Sequence, residues 1–358
     1  MREIDKYHKI EFELTSHCNL ACPGCARTLN GDTNPKLELA SIPYDTFIER
    51  FTPDILKNKF ISFCGVYGDP LMHKHFFEIA KYCVESEARI SVDTNASLRS
   101  EEWWKKLGEL SNSHRHKKYA MFVRFSVDGY NETNHLYRVK SNFDKILTNM
   151  KAYINAGGKG EWKYIVFPHN QHEVDKAIHE AKKIGIPIEF ENNNRTPDES
   201  WQTFDMIEKE TKVISKLREL ETVNDDHDVK FTSKDITNAL APKNIKTRKY
   251  DENRKTLNSI KCEWLSESSL FVGYDGRVWP CCYFQNEYHQ LYLKSGLQKK
   301  WKQTGEYLHK LDEHYGKNWN NVNYKNIEKI ISHKWFKLYL KESLSTNPHF
   351  ACTFNCKK

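Results

Sequence analysis

Hydrophobic and polar positions alternate along the first half of the chain with two different periods. Short runs with a period of two, beginning with residues 10–14, predict strands, and longer stretches with apolar residues three or four positions apart predict helices. Because strands and helices follow one another in turn, this half predicts a parallel sheet with helices packed outside it. The predicted strands are 10–14, 60–64, 89–93, 120–127, 162–167 and 186–190, and the helices among them are about 74–85, 99–110, 142–156 and 171–184.

Six strands predict an α/β fold, namely an open, TIM-like (β/α)6 partial barrel rather than a closed eight-stranded one. In such barrels the functional residues lie at the carboxyl ends of the strands. Arg124 lies on one face of the fourth strand, where it either holds an anionic group of a ligand or forms an ion pair with a neighbouring strand. Three polar residues share one face at the end of the sixth strand, namely Glu189, Glu191 and Asn193. They either line the mouth of the barrel or lie in a solvent-exposed loop.

The alternation of predicted strands and helices ends at about residue 195. Polar helical stretches, including Met206 to Leu220, predict an interdomain segment. After it, residues 270–279 predict two strands joined by an Asp-Gly turn, and helical stretches follow at about 299–313 and 324–345. We therefore expect three parts: a barrel domain at 1–194, a helical segment at 195–260 and a smaller hairpin-plus-helices domain at 261–358.

Composition narrows the class of protein. The chain has 358 residues, ten cysteines and a net charge of +7 that is spread along the sequence. It has no run of eighteen apolar residues and no secretory signal, so we expect a soluble, cytoplasmic protein whose cysteines serve metal or redox chemistry. No zinc-finger or helix-turn-helix spacing accompanies the short basic clusters, and neither nucleic acid nor a membrane is an expected partner. Nothing in the sequence decides the oligomeric state.

Three cysteines lie on one short loop after the first predicted strand. Cys18, Cys22 and Cys25 are separated by three and then two residues. Thiolates suit soft metal centres, and such centres commonly take four ligands. Three ligands therefore leave one coordination position open, at which a substrate or cofactor binds the metal directly.

This loop resembles the signature of the radical S-adenosylmethionine (SAM) enzymes. The resemblance implies that Cys18, Cys22 and Cys25 bind a [4Fe-4S] cluster whose unique iron binds SAM. Gly65 to Pro70 resembles the family's glycine-rich motif, and the ends of the third and fourth strands resemble two further SAM-binding segments. The residues that the resemblance assigns to cofactor binding are Tyr67, Gly68, Asp69, Pro70, Thr94, Asn95, Ser126, Asp128 and Arg138.

The loop departs from the family pattern at one position. Gly24 stands where the family usually has an aromatic residue that packs near adenine, so this contact has to come from elsewhere. Cys64 and Cys83 lie in apolar contexts and are expected in the core, since free cysteines bury readily. Cys64 is also close to the glycine-rich motif, which leaves a role as a hydrogen-atom donor open.

A second set of cysteines lies in the last hundred residues. The spacing of Cys262 and Cys281 around the predicted hairpin resembles the opening of the SPASM and Twitch domains, and Cys352 and Cys356 resemble their closing ligands. No cysteine occurs between Cys282 and Cys352, so the resemblance implies one auxiliary [4Fe-4S] cluster, as in the Twitch form. Cys281 is expected to be the ligand rather than Cys282, because adjacent residues at a strand end point to opposite faces. A structural zinc site with the same four ligands is the alternative.

The resemblance implies a radical SAM oxidoreductase that uses a 5′-deoxyadenosyl radical to abstract a substrate hydrogen, with the auxiliary cluster taking the second electron. Flavodoxin or ferredoxin is the expected electron donor. Only seventeen residues precede Cys18, so we expect a small-molecule substrate or a peptide bound without a separate leader-binding domain. The alternatives are an epimerase, a peptide-modifying maturase and a non-catalytic zinc protein on the same fold.

Overall fold

The computed structural model describes residues 2–113, 120–192, 262–293, 299–346, 348–349, 352 and 356. The chain divides into two compact units: residues 1–17, 34–91 and 248–358 form the first unit, and residues 18–33 and 92–247 form the second. The predicted helical segment at 195–260, including Met206 to Leu220, lies outside the described residues, as does Asn193. The three predicted domain limits therefore stay a prediction.

The secondary structure follows the alternation expected from the sequence over the first half. The strands are β1 (Lys9–Phe12), β2 (Thr28–Leu29), β3 (Asp32–Thr33), β4 (Phe60–Phe63), β5 (Arg89–Thr94), β6 (Met121–Ser126), β7 (Lys159–Val166), β8 (Ile188–Asn192), β9 (Ser269–Val272) and β10 (Val278–Trp279). The α-helices are α1 (Tyr44–Arg50), α2 (Pro53–Leu56), α3 (Phe76–Glu85), α4 (Glu101–Ser111), α5 (Asn134–Tyr137), α6 (Phe143–Asn155), α7 (Val174–Ile184), α8 (Glu263–Ser266), α9 (Cys282–Leu293), α10 (Lys299–Tyr315), α11 (Ile327–Ile331) and α12 (Leu340–Thr346). Short 3-10 helices span Glu3–Lys6, Pro70–Met72 and Gln171–Glu173, and a π-helix spans Trp335–Tyr339. No helix in these ranges has both the length and the apolar composition needed to cross a membrane.

The first unit has the strand order β10-β9-β1-β4. Strand β1 pairs in parallel with β4 on one side and with β9 on the other, and β9 pairs with β10 in the antiparallel sense. The ring of Phe12 packs against Phe47, Phe51 and Phe63 at centroid distances of 5.1, 4.7 and 6.0 Å. The hairpin predicted near the C-terminus thus belongs to the sheet of β1.

The second unit has the strand order β5-β6-β7-β8, with β5 entering it at Val92. Strands β6 and β7, and β7 and β8, pair in parallel. Along β6 one face is buried and the other is partly exposed, as expected for a strand covered by helices on one side. On the buried face Phe125 packs against Trp104 of α4 and Tyr153 of α6 at 5.7 and 5.6 Å.

The predicted α/β fold of mostly parallel strands and outer helices is confirmed, and no closed ring of strands is found in the described part of the chain. The elements that sequence reasoning missed include a short hairpin and a buried helix. The β2–β3 hairpin follows the cysteine loop, and helix α9 begins immediately after Cys281. Helix α9 shows no clear apolar face because polar residues such as Gln285 and Glu287 are buried along with its aromatic residues.

The C-terminal part of the first unit is held by a buried arginine. Arg277 lies between β9 and β10, and its guanidinium donates to both carboxylate oxygens of Asp312 at 3.0 and 2.7 Å. It also donates to Asn320 Oδ1 at 2.9 Å and lies 4.4 Å from the ring centroid of Tyr288. This bidentate pair ties the hairpin to α10, the helix that carries Asp312.

We expect Asp312→Ala to lower the free energy of unfolding by about 3 kcal/mol, because the buried Arg277 loses its bidentate partner and keeps only the Asp275 carboxylate, at 3.6 Å. Lys302→Ala is the control: its Nζ lies 3.8 Å from Glu306 in an exposed pair on the same helix, and its loss is expected to change the free energy by less than about 1 kcal/mol. Denaturant titration of both variants under anaerobic conditions measures the difference. Equal effects of the two substitutions would contradict the assignment.

Candidate functional site

The cysteine loop of the second unit is a tight turn anchored to a neighbouring segment. The amide of Ala21 donates to the carbonyl of Val139 at 3.1 Å, and the amide of Cys25 donates to the carbonyl of Cys22 at 3.2 Å. Gly24 has a φ of 72°, in the left-handed region that favours glycine. This backbone requirement gives a physical reason for the absence of an aromatic residue at position 24.

The three thiols of this loop share one apolar surface. Cys22 is buried in a cluster with Leu20, Tyr137, Ile165 and Phe167, and the two other cysteines of the loop pack against the same cluster. Burial raises the pKa of Cys22 to about 12, which the nearby Arg138 opposes and the other two thiols reinforce. A metal ion that displaces these protons would bind beside this apolar cluster.

Hydrogen-bond donors from β5 and the loop are directed at Cys18. The backbone amide of Leu20 lies 3.4 Å from the Cys18 sulfur, and Asn95 Nδ2 lies 3.8 Å from it. Asn95 Nδ2 also donates to Asn19 Oδ1 at 3.1 Å, and Asn19 Nδ2 donates to Ser97 Oγ at 2.7 Å. Of the two predicted residues at this strand end, Asn95 therefore contacts the cysteine loop.

Thr94, the other predicted residue at the end of β5, is buried. Its hydroxyl accepts a hydrogen bond from the amide of Ala96 at 3.2 Å. In the described structure Thr94 stabilises the turn that carries Asn95.

Arg138 and Asp128 form a buried pair beside Cys22. Asp128 is fully buried, and it accepts from Arg138 Nε at 2.6 Å and from the amide of Ile165 at 2.7 Å. Both carboxylate oxygens thus accept hydrogen bonds within the unit, and Asp128 holds the guanidinium in place.

Ser126, another predicted cofactor-binding residue, lies at the end of β6 on the partly exposed face.

The partly exposed face of the second unit's sheet carries a row of paired charges. Arg124 Nε lies 2.6 Å from Glu161 and its Nη1 lies 3.8 Å from Asp93, while Lys163 lies 2.6 Å from Glu191. Of the two alternatives for Arg124, the structure shows the ion pair with the neighbouring strand. Sequence reasoning missed Glu161 and Lys163, although their alternation with buried aromatic residues along β7 was a usable signal.

The glycine-rich loop of the first unit is packed too closely for side chains. A Cβ added at Gly65 would lie 1.9 Å from the carbonyl oxygen of Gly68, and one added at Gly68 would lie 1.8 Å from that of Thr15. The amide of Asp69 donates to the carbonyl of His17 at 2.9 Å. The glycines therefore let this loop lie against the chain that enters the cysteine loop.

The side chain of Glu13 accepts hydrogen bonds from the same glycine-rich loop, and sequence reasoning did not single this residue out. It is fully buried, and its Oε1 accepts from the amides of Tyr67 at 2.5 Å and Gly68 at 3.2 Å. Burial raises the pKa of Glu13 to about 8, although the loop amides oppose the shift. The signal available in the sequence was a charged residue between Phe12 and Leu14, which are both buried.

Two side chains of the glycine-rich motif that were predicted to bind the cofactor have partners within the first unit. Tyr67 is buried, donates through its hydroxyl to Asn286 Oδ1 at 2.8 Å, and packs edge-on against Tyr274 and His289. Asp69 accepts from the amide of Leu71 at 3.0 Å and caps the 3-10 helix that begins at Pro70.

The four predicted auxiliary cysteines lie together in the first unit. Cys356 is within thiol hydrogen-bonding reach of Cys262, and this contact, followed by burial and the nearby Cys352 and Cys281, raises its pKa. The amide of Cys356 donates to the carbonyl of Cys352 at 3.0 Å, which places both on one turn. Burial raises the pKa of Cys281, the nearby Cys282 and Cys352 reinforce the increase, and the amides of Tyr283 and Phe284 at the start of α9 oppose it.

Cys282 faces a different environment from Cys281. Burial raises the pKa of Cys282, and the nearby carboxyl groups of Glu11 on β1 and Glu13 just after it raise this pKa further. Cys64 lies on the same side, where its thiol donates to Glu11 Oε1 at 3.0 Å. Cys83 is fully buried on α3, as expected for a core residue.

A family model matches the part of the chain that contains the cysteine loop and the parallel strands that follow it. Residues 12–181 match the model of the radical SAM superfamily. The Fe-coproporphyrin III synthase of Methanosarcina barkeri is 26% identical over 227 residues, which cover 59% of this chain and 53% of that protein. The mycofactocin maturase MftC of Mycolicibacterium smegmatis is 24% identical over 189 residues, covering 52% and 45%. The chain spans about half the length of these curated relatives.

A solved structure shares the fold over nearly the whole chain. Native anSMEcpe with bound AdoMet and Cp18Cys peptide is 18% identical, covers 98% of this chain and 86% of its own, and gives a TM-score of 0.56. The family match covers slightly less than half of the chain and agrees with the resemblance to the radical SAM superfamily found in the sequence. The enzymes of that superfamily have a [4Fe-4S] cluster and SAM as cofactors.

We expect the stability of the protein to fall as the pH rises from about 5 to 8 because of Glu13. Its pKa is about 8 when folded against an ordinary 4.5, so over this window only the unfolded state loses the proton, at a cost to folding on the order of 4 kcal/mol. Glu13→Gln should remove this dependence, whereas the exposed Asp45→Asn should retain it. Denaturation midpoints at several pH values measure both, and parallel curves for Glu13→Gln and wild type would contradict the prediction.

Proposed function

We propose that this protein is a radical SAM oxidoreductase with two [4Fe-4S] clusters, one on the cysteine loop and one on the C-terminal cysteines. The observation that carries the proposal is the approach of four thiols from distant parts of the sequence, Cys262, Cys281, Cys352 and Cys356, in addition to the three of the loop. When bound, these cofactors supply a 5′-deoxyadenosyl radical that removes a substrate hydrogen atom, and an acceptor for the second electron.

The residues of the second unit fit the first cluster. Cys18, Cys22 and Cys25 surround an apolar surface, and the Leu20 amide and Asn95 donate toward one of the sulfurs, which favours thiolates. Arg138 supplies a positive charge beside Cys22, and Asp128 orients it. We assign positioning roles to Asp128 and Thr94, and direct contact with the cofactor to Asn95, Ser126 and Arg138.

The glycine-rich loop supplies backbone rather than side-chain groups in this proposal. Gly68 allows its close approach to the chain before Cys18, and Glu13 fixes the orientation of its amides. Tyr67, Asp69 and Pro70 set the loop conformation through the contacts described above. They would act on SAM binding by holding this backbone in place.

The C-terminal segment fits an auxiliary cluster of the Twitch type at 261–358. Four thiols fill every ligand position of such a cluster, which makes electron transfer rather than substrate binding its task. Ferredoxin or flavodoxin would supply the first electron. A tetrahedral zinc site with the same four thiols is the competing assignment.

The substrate we propose is a small molecule or a peptide. The relatives named above include both an Fe-coproporphyrin III synthase and a mycofactocin maturase, so their names do not decide between these substrate classes. The charged row that contains Arg124 and Lys163 favours a substrate with ionised groups, because it presents both signs of charge on one partly exposed face.

Iron content tests the two-cluster assignment. After anaerobic reconstitution the wild type should hold about eight irons per chain, and Cys281→Ser about four, whereas the adjacent Cys282→Ser should keep all of them. Cys18→Ala should lose the other cluster and SAM cleavage with it. Loss of iron from Cys282→Ser but not from Cys281→Ser would reverse the ligand assignment, and zinc in place of iron at the C-terminal site would favour the non-catalytic alternative.

Isotope transfer tests the reaction type. With a compound that raises 5′-deoxyadenosine formation, deuterated at its reacting carbon, oxidation should place about one deuterium in 5′-deoxyadenosine and consume about one SAM per product. Solvent hydrogen at that carbon, in a product of unchanged mass, would instead indicate an epimerase, and Cys64 would then be the first donor to substitute.

A further inference from the structure

We propose that Glu132, His172 and Glu173 of the second unit bind a divalent metal ion distinct from the cysteine sites. Glu132 lies in the loop between β6 and α5, and the other two residues end the 3-10 helix that precedes α7. One ligand atom from each lies within 4.8 Å of those of the other two. Two ligands at about 2.0–2.2 Å from a common ion are at most about 4.4 Å apart, so small side-chain rotations complete the site.

Glu173 provides the independent observation that points to a cation. This residue is fully buried, and its Oε2 accepts hydrogen bonds from the amide of Tyr130 at 3.0 Å and from the hydroxyl of Thr133. Its Oε1 is also buried and has no hydrogen-bond partner among the described residues. A buried carboxylate oxygen without a partner is costly, and a bound cation removes that cost.

The chemistry of the three ligands identifies the class of ion. Two carboxylates balance the charge of a divalent ion, and one imidazole adds affinity for a transition metal such as Mn²⁺ over Ca²⁺ or Mg²⁺. Glu132 and His172 are exposed, which gives the ion a route from solvent to Glu173.

The proposed ion would join the loops after β6 and β7, which also hold the pair beside Cys22. Asn170 Nδ2, three residues before Glu173, donates to the carbonyl of Asp128 at 3.0 Å, and the amide of Ile165 donates to the carboxylate of Asp128 at 2.7 Å. Metal binding would therefore stabilise the part of the unit that orients Arg138, and we expect a rise in melting temperature with Mn²⁺.

Titration of the cluster-loaded full chain with Mn²⁺ tests the site, because thiolates compete poorly for this ion. Electron paramagnetic resonance of free Mn²⁺ should show about one site per chain. His172→Gln and Glu132→Gln, which alter exposed side chains, should weaken binding at least about tenfold and abolish the rise in melting temperature. Glu109→Gln, an exposed acid on α4, should bind as the wild type does.

Glu173→Gln extends the test to the buried ligand, since the glutamine oxygen can still accept from Tyr130 while the carboxylate is lost. Weaker Mn²⁺ binding by a folded Glu173→Gln variant supports the proposal. Absence of binding by the wild type, or unchanged binding by His172→Gln and Glu132→Gln, would overturn it even if Glu173→Gln fails to fold.

Discussion

The Glu13 carboxylate lies beneath the glycine-rich loop, where one oxygen accepts hydrogen bonds from the amides of Tyr67 and Gly68. The ring of Tyr67 packs against Tyr274 and His289 of the C-terminal segment. One buried group thus links β1, the loop that follows β4 and the segment around α9. The close backbone approach at Gly68 depends on the same arrangement.

The second unit has its own buried carboxylate, and it performs a comparable task. Asp128 is satisfied by the amide of Ile165 and by Arg138, and the guanidinium that it orients lies near the buried thiol of Cys22. A positive charge at this position lowers the cost of forming a thiolate in an apolar pocket. In both units a buried acid on or just after a strand fixes a loop that carries proposed functional groups.

Local patterns account for the parts of the fold that were predicted well. The period of the hydrophobic positions gave the parallel strands and their helices within a few residues, since each element buries one face. The same reasoning missed helix α9, because a helix buried on several sides has no polar face to mark its period. It also missed Glu13, since a charged residue in a strand does not reveal from sequence whether it will be solvated or buried beneath a loop.

The sequence by itself determined the resemblance to the radical SAM superfamily, the cysteine loop and the positions of the motifs, because these depend on residue types at fixed spacings along the chain. Only the tertiary structure decided which side chains meet. It brought Cys262 and Cys281 to Cys352 and Cys356, added β9 to the sheet beside β1, and paired Arg124 with Glu161. It also placed Glu132 near Glu173, 41 positions apart by residue number. Such contacts follow from packing between distant segments, and no local pattern in the sequence records them.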